Sequence, residues 1–166
     1  MVVVNRGVSV PMEKVGVLGP ESLWRVAIWL RKRRAYWLAR RIKNLNSILY
    51  HNSLASGADV GDDLYLGHHG LGVVVHNNVV VGHRVKIWQG VTLAVRAPAG
   101  TPPRIVIGDE VEIGANAVVI TPLGAGLTIG AGAKIGAGAV VVQDVPAGTT
   151  VVGNPARVVR RRFEGE

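Results

Sequence analysis

Four of the chain's five histidines crowd one short stretch. "LYLGHHGLGVVVHNNVVVGHRV" holds His68, His69, His76 and His83, with His51 standing upstream. An unperturbed imidazole titrates near neutral pH, so it can take a proton and return it. A positioned imidazole that removes the proton of an attacking hydroxyl is worth about 10²–10⁴-fold in rate. The chain has no cysteine, which excludes a thiol nucleophile, a thiolate metal site and a disulfide framework. His76 and His83 read as turn or surface residues, and His51 precedes the patterned region. The adjacent pair, His68 and His69, is the strongest chemical candidate.

What must hold that pair is a six-residue beat. Aliphatic anchors fall at Val60, Leu66, Val73, Val79, Val85 and Val91, then Ile107, Ile113 and Val119, then Ile129, Ile135 and Val141. Small residues such as Ala117, Ala133 and Ala139 sit two places before an anchor, and glycine often follows one. This is the hexapeptide repeat of a parallel β-helix, whose coils must stack because none can bury its inner face alone. The beat breaks three times. One extra residue lies between Leu66 and Val73, "AVRAPAGTPPR" is a long excursion, and "TPLGAGL" adds four residues before Ile129. Insertions in a solenoid go to the surface, where loops carry function.

Four segments are expected. Residues 1–19 are irregular, 20–50 an α-helical cap, 51–155 the β-helix and 156–166 a basic tail. Pro20 suits a first helical position. Leu23, Ala27, Leu30, Leu38, Ile42, Leu45 and Ile48 then follow helical spacing opposite Arg and Lys. Such helices dock an apolar face on the body while basic stems cover the flanks. With Trp24, Trp29 and Trp37 among the basic residues, the alternative is a membrane surface. The net charge of +8 sits at the ends: residues 1–50 hold 10 basic and 2 acidic side chains, and residues 51–155 hold 5 and 7. A slightly acidic body argues against a nucleic-acid partner. No signal peptide or bilayer-spanning run is evident, and the lack of cysteine suits a cytoplasmic location.

"LYLGHHGLGVVVH" followed by "VKIWQGVTLA" resembles the serine acetyltransferases and their exopolysaccharide-associated relatives, and "IGAGAKIGAGAVVVQDVPAGTTVVGNPARVV" resembles the closing stretch of the wider hexapeptide acyltransferase superfamily. The resemblance covers roughly residues 20–162 and implies a mostly β fold, a left-handed parallel β-helix with an N-terminal α-helical segment. It implies acetyl-CoA as co-substrate, no metal, a homotrimer with the cofactor between subunits, and a histidine that deprotonates the acceptor hydroxyl. Counted from Leu66 that histidine is His68. Counted back from Val73 and Gln89 it is His69, which also restores the family's His-x-x-Gly, and His69 is the expected base. Ala115 and Ala137 match the family's backbone contacts to pantetheine, with Val142 and Gln143 on the next strand. Arg157 and Arg160 match basic positions near the CoA phosphates, where a guanidinium's planar fork suits phosphate.

Two departures bear on the acceptor. Ser53 stands where the family has the aspartate that orients the imidazole, with Asp62 or Asp63 as weak substitutes. Pro102 stands where it has a second histidine. Both favour a sugar or exopolysaccharide acceptor as the alternative to serine, and the eroded pair leaves a non-catalytic β-helix scaffold as the non-enzyme alternative. A γ-type carbonic anhydrase would need three zinc-binding histidines on this fold, and the spacing here does not match. The ending "RRRFEGE" lacks the terminal isoleucine that docks family members on the cysteine-forming synthase, so that partnership is not expected.

Overall fold

The computed structural model describes residues 19–97 and 104–159. Three parallel sheets run the length of the body, and each strand pairs with the equivalent strand one coil away. The first wall is built from Ser53–Leu54, Val74–Val75, Thr92–Ala94, Val118–Ile120 and Val140–Val141. The second is Asp59–Val60, Val79–Val81, Ile105–Ile107 and Leu127–Ile129. The third is Tyr65–Leu66, Lys86–Ile87, Glu112–Ile113, Lys134–Ile135 and Thr150–Val152, closed by Arg157–Val158, the only antiparallel neighbour among the described residues. This is the mostly β, three-sided solenoid that the beat predicts.

Inward aliphatics stack in columns. Leu66 faces Ile87, then Ile113, then Ile135, and Val75 faces Leu93, then Val119, then Val141. All eight side chains are buried. These pairings correct the phase of the beat. Val79 pairs with Ile105, so Val73, Val79, Val85 and Val91 form a second inward set two places earlier. Between the paired columns the chain takes six residues from Ile87 to Leu93, from Ile113 to Val119 and from Ile135 to Val141. From Leu66 to Val75 it takes nine. The first break therefore holds three extra residues, not one.

The corners demand glycine for steric reasons as well. A Cβ on Gly108 would lie 2.6 Å from the backbone nitrogen of Ala131 in the next coil. The third wall's outward side chains form a charge ladder, with Lys86 3.1 Å and Lys134 3.7 Å from Glu112. The hydrogen bond from Lys86 holds the Glu112 carboxyl below its ordinary range. In the last two coils of the first wall the outward positions are Val118, Ile120, Val140 and Val142, with no charge.

Helix α1 (Pro20–Lys32) caps the first coil as expected. It buries Leu23, Trp24, Ala27, Ile28 and Leu30. The Trp24 indole N–H donates to the Ala55 carbonyl at 2.9 Å, and the Glu21 carboxylate accepts from the Leu66 N–H at 2.9 Å. Helix α2 (Tyr36–Tyr50) corrects the expectation of apolar docking. It buries Ala39 and Asn46, while Trp37 is 73% and Ile48 72% exposed. Asn46 decides this orientation. Its amide donates to the Pro20 carbonyl at 2.8 Å and accepts from Asn52 at 3.2 Å, tying both helices to the first coil.

Replacing Gly108 with alanine should force the neighbouring coil to shift, at a cost of about 1–3 kcal/mol. Thermal unfolding would show this as a midpoint lowered by several degrees; an unchanged midpoint would mean that the coils are not in van der Waals contact there.

Candidate active site

The backbone ladder locates the extra residues. At one corner, the Gly138 N–H donates to the Ala115 carbonyl, Asn116 N–H to Gln89, and Gly90 N–H to Leu71, all at 2.8–2.9 Å. Leu71, Gln89, Ala115 and Ala137 thus occupy one column. Upstream, Leu66 opposes Ile87, so Gly67 stands opposite Trp88. What lies between Gly67 and Leu71 is His68, His69 and Gly70. Neither histidine belongs to a frame of the repeat, because both are in the insertion itself.

The insertion is a tight left-handed turn. His68 has φ 52° and ψ 42°, and His69 has φ 56° and ψ 25°. Gly70 continues at φ 67°. A residue with a Cβ pays about 1–2 kcal/mol in this region, so the turn must be held by its surroundings. The Leu71 N–H closes it on the His68 carbonyl at 3.2 Å, and the Gly72 N–H donates to His51 at 2.9 Å. Gly67 has no space for a side chain, since a Cβ would meet the Trp88 ring at 2.5 Å.

The turn sends the two rings to different sides. The His68 ring lies 6.1 Å from Trp88, which itself packs edge-on with Tyr65 of the third wall. The His69 ring lies 5.9 Å from Tyr50, the last residue of α2. Both histidines are solvent-exposed. Ser53, which the resemblance aligns with the family's aspartate, pairs with Val74, just past the insertion, and lines a groove with residues of α2. Asp62 is engaged elsewhere, 3.6 Å from Arg25 and 3.8 Å from His83. His83 Nδ1 accepts from the Asp62 N–H and His76 Nδ1 from the Asn78 N–H, so both act as turn residues. Among the described residues no group of three or more His, Asp or Glu is placed to hold a metal ion.

The expected cofactor residues fall into two places. Ala115 and Ala137 lie one above the other in the column that leads to the histidine turn. Gln143 and Arg157 line a cavity of about 310 Å³ at the far end of the solenoid, with Asp144 and Ala156. Val142 is exposed beside Gln143 and does not line it. Arg160 and Pro102 lie outside the described residues. Gln89 served the sequence reading only as a frame marker and not as a site residue; its Oε1 is buried without a hydrogen-bond partner among the described residues, in the coil next to the turn. Sequence reasoning passed over a groove of about 570 Å³ between α2 and the first wall, lined by Arg31, Tyr36, Arg40, Lys43 and Ser53. The run of basic residues without an acid from Ser22 to Ala58 was the available signal.

A serine acetyltransferase of Helicobacter pylori is 36% identical over 156 residues, covering 83% of this chain and 78% of the relative. The chain belongs to the serine acetyltransferase family. Among solved structures, the soybean serine acetyltransferase apoenzyme superposes with a TM-score of 0.76 at 38% identity, over 84% of this chain and 56% of that one. The Brucella abortus serine acetyltransferase in complex with coenzyme A gives 0.78 at 31% identity, over 87% and 56%. The chain therefore spans little more than half the length of these solved family members. No family model matches the chain.

Relieving the left-handed strain should stabilise the protein. His68→Gly and His69→Gly should each gain about 1 kcal/mol and raise the unfolding midpoint by a few degrees. A fall in both would show that the rings' contacts outweigh the backbone cost.

Proposed function

We propose that the chain is an acetyl-CoA-dependent O-acetyltransferase that acts on a small hydroxyl-bearing acceptor, with His69 as general base. The observation that carries this is the shared corner: in a chain of this family, the histidine turn crowns the same column as Ala115 and Ala137. His69 rather than His68 is supported by its side. It lies against Tyr50 at the end of α2, whereas His68 lies against Trp88, which packs on Tyr65 of the charged third wall.

The residues suit CoA. Ala115 and Ala137 leave the corner open, and Gln143 and Arg157 share a cavity where a guanidinium can pair with phosphate. The unpartnered Gln89 Oε1 offers an acceptor to an amide N–H along the same column. The bound thioester supplies an activated acyl carbon. His69 takes the proton as the acceptor's hydroxyl oxygen forms the new ester bond and the C–S bond breaks, then returns that proton to the departing sulfur. Holding acceptor and thioester together adds to the rate.

A homotrimer follows from the same reading. The uncharged outward face of the first wall, with Val118, Ile120 and Val140, is the surface that a neighbouring solenoid would cover, placing the column of Ala115 and Ala137 at a cleft between subunits. The third wall's ladder of Lys86, Glu112 and Lys134 is the surface that stays in water. The sugar acceptor is favoured over serine by Ser53 and Pro102, which stand where the resemblance expects the imidazole-orienting aspartate and the second histidine associated with the amino-acid substrate.

Isothermal titration should show CoA binding to the full chain, weakened about tenfold or more by Arg157→Gln, in keeping with the loss of one charge-assisted contact. Absence of binding would leave the scaffold reading in its place. In a thiol-release assay, His69→Ala should lose about 10²–10⁴-fold in kcat with unchanged CoA affinity, and His68→Ala should lose far less. The reverse order would transfer the base to His68. Val118→Arg should shift the sedimentation profile toward monomer, and an unchanged profile would exclude the first wall as the interface.

A further inference from the structure

The groove between α2 and the first wall has a composition that free serine does not explain. Its volume of about 570 Å³ far exceeds the needs of a free amino acid, and its lining carries three cationic side chains, Arg31, Arg40 and Lys43, with no carboxylate. None of the three has an ion-pair partner among the described residues. The nearby Lys32 and Arg25, by contrast, are taken up by Asp59 and Asp62. Three like charges around one concavity repel one another, and an anion placed among them relieves that cost. A zwitterion would bring its ammonium group into the same positive field.

The rest of the lining is suited to a polyol. Ser53, Ser56 and Asn77 offer hydroxyl and amide groups, and the Arg31 guanidinium stands over the Tyr36 ring, 5.9 Å from its centroid. Ser53 connects the groove to the chemistry. It lines the groove, and its strand partner Val74 follows the histidine turn by a few residues. The same helix that provides Tyr36, Arg40 and Lys43 ends in Tyr50, against the His69 ring.

We propose that this groove is the acceptor site and that the acceptor is a sugar bearing a phosphate ester, its phosphate held by Arg31, Arg40 and Lys43. The inference rests on the acetyltransferase reading and names the substrate class for it. The three cations would fix the anionic end of the acceptor and leave a sugar hydroxyl to reach toward the His69 side of the wall. Arginine is suited to this because its fork can give two parallel hydrogen bonds to a phosphate, while lysine contributes a point charge.

The test is isothermal titration of the full chain with glucose 1-phosphate, UDP-glucose, glucose and L-serine. The two phosphate-bearing probes should bind, more weakly as salt is added, and both should outcompete glucose and serine. Tighter binding of UDP-glucose than of glucose 1-phosphate would extend the site to the nucleotide, and equal binding would confine it to the sugar phosphate. The double variant R40Q/K43Q should lose roughly tenfold or more of this affinity, while CoA affinity and the unfolding midpoint stay unchanged and R40K/K43R retains binding. Serine or glucose binding as tightly as the phosphate probes, or R40Q/K43Q binding like the unmodified chain, would overturn the proposal. The CoA titration is separate, so a failure there would count against the acetyltransferase reading and not against an anion site in the groove.

Discussion

The hydrogen-bond ladder between coils is the constraint from which the rest of the structure follows. A single coil offers only short strands and a narrow strip of aliphatic side chain, so it becomes stable only when its backbone groups pair with a neighbour in register. The register is strict, since a slip of one residue along a strand would exchange the buried and exposed sets. Extra residues therefore cannot be spread along the chain. They must leave the ladder at a corner and rejoin it in phase. At the first break the ladder is left after Gly67 and regained at Leu71. The two histidines project from the solenoid because nothing in the next coil can pair with them.

That expulsion has a cost and a benefit on the same backbone. Three successive residues with positive φ are unfavourable for a chain in isolation. Here the strain is confined by rigid neighbours: Trp88 closes on Gly67, and the Leu71 and Gly72 amides are fixed by hydrogen bonds. A turn so over-determined has few alternatives, and its side chains inherit the rigidity of the solenoid. Helix α2 extends the same logic. Its burial is decided by Asn46 and its partners, not by the side on which most of its leucines fall.

The period of the fold was legible in the sequence, but its phase was not. Each strand sends two aliphatics inward, as Val73 and Val75 do, or Val85 and Ile87. A count of buried-type residues cannot tell which of the two opposes Ile113, because Val, Ile and Leu serve both positions. Backbone pairing alone separates them, and with it the length of the insertion changed from one residue to three. The column of Ala115 and Ala137 came only from the family resemblance, since its other members, Leu71 and Gln89, are neither small nor evenly spaced along the chain. The groove was not legible, since its lining comes from both helices and three separate coils that no local pattern joins. The outward face of α2 was hidden for another reason: tertiary hydrogen bonds to Pro20 and Asn52 outweighed the helix's own amphipathicity.

With Ser53 in the place of an aspartate, the orientation of a catalytic imidazole must come from elsewhere. A carboxylate partner does two jobs: it fixes the ring and it stabilises the imidazolium that forms. Fixing the ring is within reach of what surrounds His69, since the left-handed turn sets its backbone and Tyr50 lies against its face. Stabilising the cation is harder, because the same helix that ends against the ring carries Arg40 and Lys43 in a groove without a carboxylate. An anionic acceptor changes that balance. Bound among Arg31, Arg40 and Lys43, a phosphate of about −2 charge would offset most of their positive charge and ease the protonation of the imidazole. On the proposed reading, the basic groove and the missing aspartate would be one adaptation, with charge that eases protonation of the base arriving with the substrate.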